Sequence, residues 1–140
     1  MPIQFFFIDT TVALTERKRL KSFIERLFID NQQKLLSLTV IFCTDNYLLD
    51  INKQFLNHNY FTDIITFNLA EDENTIEGDI YISADRIRDN ATTHNVSIKS
   101  ELHRVIFHGA LHLCGFKDKS RTDKINMTTA ENTCLQQYFS

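Results

Sequence analysis

The spacing of hydrophobic positions changes several times along the chain, and each change marks an element. Ile3–Ile8 is a short apolar run of strand length. Between Leu14 and Ile29 the apolar positions Leu20, Phe23, Ile24, Leu27 and Phe28 recur three and four apart, which predicts an amphipathic helix. Thr10, Thr11 or Thr15 is its expected cap. Leu36–Cys43 is apolar and β-branched and predicts a central strand. Thr44 or Asp45 then caps a helix that runs to about Phe55. The polar and aromatic stretch Asn57–Phe61 reads as a loop. Asp63–Leu69 and Gly78–Ser83 read as strands, with acidic Ala70–Glu77 as the turn of an antiparallel hairpin. Helices are expected over 84–95, from Lys99 to Cys114 behind a Ser97 or Ser100 cap, and over 121–138. This order predicts one α+β domain over residues 1–140: a mixed, mainly parallel sheet of about four strands covered by helices.

Composition narrows the class. At 43% hydrophobic, with 12 Phe, the chain can bury a core, and its 3 Gly and 1 Pro exclude collagen-like or low-complexity architecture. The net charge of -3 argues against a uniformly basic nucleic-acid surface, so any polyanion contact has to be local. Two local clusters exist: Arg17, Lys18, Arg19 and Lys21, and Lys117, Lys119, Arg121 and Lys124. Each is either a solvated face or a set of phosphate contacts. Cys43, Cys114 and Cys134 are odd in number and widely spaced, which fits reduced thiols in a cytosol. With no basic leader and no apolar run of about 18 residues, a cytoplasmic protein is the expectation.

The chemistry concentrates in one segment. His108 and His112 lie four apart on a predicted helix, so both imidazoles share one face and can reach a single ion. Gly115 stops the helix, and the reversed chain can return Asp118 toward them. The pattern His-x3-His-x2-Gly-x2-Asp describes a three-ligand, catalytic type of zinc site with an open position. The same spacing occurs in the metzincin peptidases, but Gly109 stands where their general-base Glu would be, so peptide hydrolysis by that route lacks its proton acceptor. His103 projects roughly 140° away from His108 and reads as an interior or supporting residue. His58 and His94 read as surface residues.

Here the sequence resembles a known family. His108-Gly-Ala-Leu-His112-Leu-Cys-Gly115-Phe116 is similar to the signature of the YbeY endoribonucleases, the bacterial rRNA maturation factors. Asn52, the segment Thr62-Asp63-Ile-Ile-Thr66-Phe67, Gly78-Asp79-Ile80 and Met127-x3-Glu131 resemble further family motifs in the same order. The resemblance implies an α+β fold, one metal ion per chain, and maturation of ribosomal RNA, including the small-subunit 3′ end. It implies His108 and His112 as ligands, with Asp118 where the family has a third histidine. A carboxylate there makes the ion a weaker Lewis acid and admits Fe, Mn or Ni beside Zn²⁺. Leu56 occupies the position of a family arginine, which removes a guanidinium able to hold phosphate; Lys53 and His58 are the nearby substitutes.

The expected function is therefore a zinc-dependent endoribonuclease of ribosome biogenesis, its nucleophile a metal-activated water. Thr62, Asp63, Lys117 and Lys119 are the candidate substrate contacts, and Asp79 reads as a turn residue or a further contact. Expected partners are ribosomal RNA in the small subunit and a ribosomal protein, with no membrane. The rival readings are a non-catalytic assembly factor with a structural metal and a metallohydrolase of another substrate.

Overall fold

The computed structural model describes residues 2–140. Four strands, β1 (Ile3–Phe7), β2 (Lys34–Cys43), β3 (Ile64–Asn68) and β4 (Thr75–Ser83), form one sheet in the order β1-β2-β4-β3. β1 pairs parallel with β2 and β2 parallel with β4, while β3 runs antiparallel beside β4. The five helices are α1 (Arg17–Asp30), α2 (Asp45–Leu56), α3 (Ala84–Thr93), α4 (Ile98–Leu113) and α5 (Arg121–Tyr138). The mixed, mainly parallel sheet and the α+β class are as the hydrophobic pattern predicts.

The sheet is covered unequally. Leu38, Val40 and Phe42 of β2 and Ile76, Ile80 and Ile82 of β4 face the main core. They meet Leu20, Ile24 and Phe28 of α1 and Leu102, Val105, Ile106 and Ala110 of α4. The opposite face carries a smaller cluster, Cys43, Leu48, Ile51 and Ile65, beneath α2. At the C-terminal ends of β2 and β4, Asp45 ties two helix starts together. Its amide donates to Asp85 (2.8 Å), and its carboxylate accepts the Ser83 hydroxyl (2.6 Å) and the Arg86 guanidinium (3.0 Å).

Three local expectations need correction. None of Thr10, Thr11 or Thr15 caps α1. Glu16 holds that position with a left-handed backbone (φ 52°) and no side-chain hydrogen bond, and Leu14 enters the core from non-helical chain. Periodicity alone cannot separate a core-facing loop residue from the first turn of a helix. β2 starts at Lys34, and β4 at Thr75 inside the stretch expected as a turn, because the two strands pair there (Lys34 with Thr75). Asp79 is no turn residue: it sits mid-strand, opposite Thr39 and Phe67. Thr44 caps α2 and Ser97 caps α4 through their side chains, each being one of the alternatives read from the sequence.

Gly109 governs how closely α4 approaches the sheet. A Cβ built there would lie 2.8 Å from Ile80 Cδ1 and 3.0 Å from Ile64 Cδ1. The position that holds Glu in metzincins therefore points into the packed sheet in this chain, which gives Gly109 a packing reason of its own. Alanine is the better helix former by about 1 kcal/mol, but overpacking a buried site costs about 1–3 kcal/mol. Gly109→Ala should therefore lower stability by a net amount on the order of 1 kcal/mol, read as a lower urea midpoint at unchanged slope.

Candidate metal centre

α4 is buried along most of its length, since it lies between the sheet and helices α1, α3 and α5. Its last two turns carry His108 and His112. The helix then ends in a Schellman turn: Gly115 N–H donates to the His112 carbonyl (3.0 Å) and Phe116 N–H to that of Leu111 (3.1 Å). This turn needs the left-handed backbone that Gly115 supplies at φ 106°. The Phe116 carbonyl in turn accepts His112 Nδ1–H at 3.0 Å. Beyond it the chain doubles back and sets Asp118 Oδ2 3.5 Å from His108 Nε2.

His108 is held from its other side by α5. Its Nδ1–H donates to Glu131 Oε2 at 2.7 Å, and Glu131 Oε1 accepts Arg104 at 2.8 Å. Arg104 also donates to Asn132 Oδ1 (2.6 Å). Both imidazoles thus give their Nδ1 proton to an oxygen acceptor, which leaves Nε2 as the lone-pair nitrogen of each neutral ring. This is the arrangement in which histidines serve metal ions.

The local field is acidic. Burial acts to lower the His108 pKa, but the Glu131 hydrogen bond and the carboxylates of Glu131, Asp63 and Asp118 outweigh it and hold the pKa above its ordinary value. Burial raises the Asp63 carboxyl, with His108 opposing and Glu131 adding to the rise. Three carboxylates against Arg104 and one imidazole favour an added cation. Among the described residues, no group of three His, Cys, Asp or Glu side chains is already gathered closely enough to grip an ion. Asp118, 46% exposed on the loop after Gly115, is the most accessible of the three carboxylates.

The other sequence candidates fall around this centre. Thr62 borders a small cavity of about 210 Å³ that also touches Asn52, Leu56, His58 and Tyr60. The Thr62 hydroxyl reaches the Ile64 carbonyl (3.4 Å). Asp63 immediately precedes β3, its carbonyl accepting Ser83 N–H (2.9 Å), and burial foremost raises its carboxyl pKa. Lys117 is exposed and lines a cavity of about 710 Å³ beside Gly115 and Phe116; Lys119 is exposed on the same loop. Three residues of the other basic cluster cover aromatic rings: Arg17 lies over Phe7, Arg19 over Tyr138 and Lys21 over Phe5, while Lys18 is exposed. Another cavity, of about 630 Å³, lies on the open side of the sheet between Tyr47, Phe55, Phe67 and Tyr81, and none of the candidate ligands lines it.

Sequence reading gave Glu131 and Arg104 no role of their own. Met127-x3-Glu131 stood out only as a family motif, because the Glu131–His108 pair joins two helices 23 residues apart in sequence.

The fold and site define an α+β domain whose central helix presents two histidines ahead of a reversing turn that carries Asp118. The Endoribonuclease YbeY family profile matches residues 8–139, and the chain belongs to this family. A Cytophaga hutchinsonii protein named Endoribonuclease YbeY is 44% identical over 95% of this chain and 93% of its own length. The Parabacteroides distasonis protein of that name is 38% identical, with 96% and 94% covered. The solution structure of TM1509 from Thermotoga maritima shares the fold: TM-score 0.67, 23% identity, 98% of this chain and 89% of that one covered.

His103 is the interior histidine that its helical offset predicts. It is buried and donates Nδ1–H to the Lys99 carbonyl (2.7 Å), its ring stacked on Tyr138. Burial foremost, with the nearby Lys99 and Arg19 charges, pulls its pKa below the ordinary 6.5. The folded state thus disfavours the proton that the unfolded chain binds near 6.5, so this contribution is whole above that pH and is lost as pH falls below it. His108, with its raised pKa, acts in the opposite direction, so the test is a difference: between about pH 7.5 and pH 5.5 the urea midpoint of His103→Phe should shift upward relative to that of the wild type.

Proposed function

We propose that this protein is a metal-dependent endoribonuclease of ribosomal RNA maturation, acting in the cytoplasm at the small-subunit 3′ end. Membership of the YbeY family, and the name that its relatives share, favour an enzyme over a non-catalytic assembly factor. The observation that carries the metal reading is the pair of Nδ1–H bonds, to Glu131 and to the Phe116 carbonyl, which prepare both imidazoles to coordinate through Nε2. His108, His112 and Asp118 would hold one divalent ion, Zn²⁺ first, with Fe, Mn or Ni admitted by the carboxylate. When bound, such an ion supplies Lewis-acid activation to a phosphodiester. Glu131 fixes the tautomer and aim of His108, while Arg104 balances the buried Glu131 carboxylate. Lys117 and Lys119, exposed on the loop after Gly115, would meet phosphate oxygens, and Thr62 and Asp63, just before β3, would be further substrate contacts. The free cysteines, and the lack of any long apolar helix among the described residues, accord with a cytoplasmic site of action. A ribosomal protein of the small subunit is the companion partner that this role implies.

Metal analysis of the purified protein should give one ion per chain, lost in His112→Ala and in Asp118→Ala. Glu131→Ala should keep the ligands but bind the ion roughly 10–100-fold more weakly in a competition titration. Equal stoichiometric metal in the wild type and both ligand variants would remove the site. Incubated with precursor small-subunit rRNA, metal-loaded wild type should cleave and His112→Ala should not; cleavage by neither would return the protein to the assembly-factor reading.

A further inference from the structure

The loop between α2 and β3 displays aromatic surface beside the candidate centre. Tyr60 and Phe61 are more than half exposed, so neither serves the core. Tyr60 is nevertheless fixed. The amide of Asn52, a buried residue on α2, donates to the Tyr60 carbonyl at 2.9 Å. The Tyr60 ring stacks on His58, with centroids 5.1 Å apart and planes within 20° of parallel. Its hydroxyl and His58 Nδ1 share a hydrogen bond of 2.9 Å. The result is a two-ring plate anchored by a buried side chain and open to solvent.

A small cavity links the plate to α4. His58, Tyr60, Thr62 and Ile64 line it, and Ile64 packs against Gly109, the residue after His108. Leu56 also lines that cavity. This wall therefore offers a flat π surface beside an aliphatic side chain. Such a surface holds a nucleobase by its face, and only an unpaired base exposes that face. Phe55 belongs elsewhere, since it packs edge-on against Phe67 on the open side of the sheet.

We propose that the His58–Tyr60 plate is a stacking platform for an unpaired nucleobase of the RNA substrate, next to the phosphodiester presented to the histidine pair. The proposal rests on the endoribonuclease reading and commits the loop to single-stranded RNA.

The test is fluorescence anisotropy of a short labelled single-stranded RNA and of its duplex, with wild type, Tyr60→Phe, Tyr60→Leu and Tyr60→Ala. Tyr60 is exposed and its anchoring bond uses its backbone carbonyl, so all three variants should fold. Tyr60→Ala and Tyr60→Leu should bind the single strand roughly tenfold more weakly, with duplex binding and salt slope unchanged, and Tyr60→Phe should bind like wild type. Leucine matching wild type would replace stacking by simple apolar contact and overturn the proposal. So would equal affinity in all variants, or no single-strand binding by the wild type. The endoribonuclease reading is judged separately: rRNA cleavage that survives Tyr60→Ala with unchanged KM sinks the platform and leaves the enzyme standing.

Discussion

The close approach of α4 to the β3–β4 hairpin, allowed by the missing side chain at Gly109, is the constraint on which the site depends. Because the helix lies tight on Ile80 and Ile64, its rotation about its own axis is fixed. Val105, Ile106 and Ala110 then face the core, and His108 is left at the margin between β3 and α5. From that margin it can touch Glu131 on one side and Asp118 on the other. A looser helix would carry His108 away from both partners.

The electrostatic character follows from this placement. Glu131 is almost wholly buried, a costly position for a carboxylate without partners. It is made tolerable by Arg104 and His108, so one carboxylate links a guanidinium to an imidazole across two helices. Removing either cation leaves a buried charge underpaired, which is why the motif on α5 and the histidine on α4 function as one unit. Asp118 adds further negative charge on the solvent side, which strengthens the attraction of this region for a cation.

Much of this was legible in the chain. Helices α2 to α5 and strand β1 follow from period and caps, since their signals are local: Thr44 and Ser97 stand one residue before their helices and bond the amides they should. The His-x3-His spacing was equally local. What escaped reading was set by partners distant in sequence. β4 gained its first residues from pairing with β2, and α1 begins at an uncapped left-handed Glu16. The depth of Asp63 and the pairing of Glu131 with His108 likewise depend on how separate elements meet. Arg17, Arg19 and Lys21 look like a polyanion-binding cluster in one dimension, while in three each covers an aromatic ring.

That last arrangement bears on how a polyanion is found at all. Cations resting on ring faces act as adhesive for the fold. With a formal charge of -3, the molecule as a whole does not draw nucleic acid from afar. Capture then depends on contacts that begin only at touching distance, so shape and exposed single strands, more than counterion release, would decide which RNA stays.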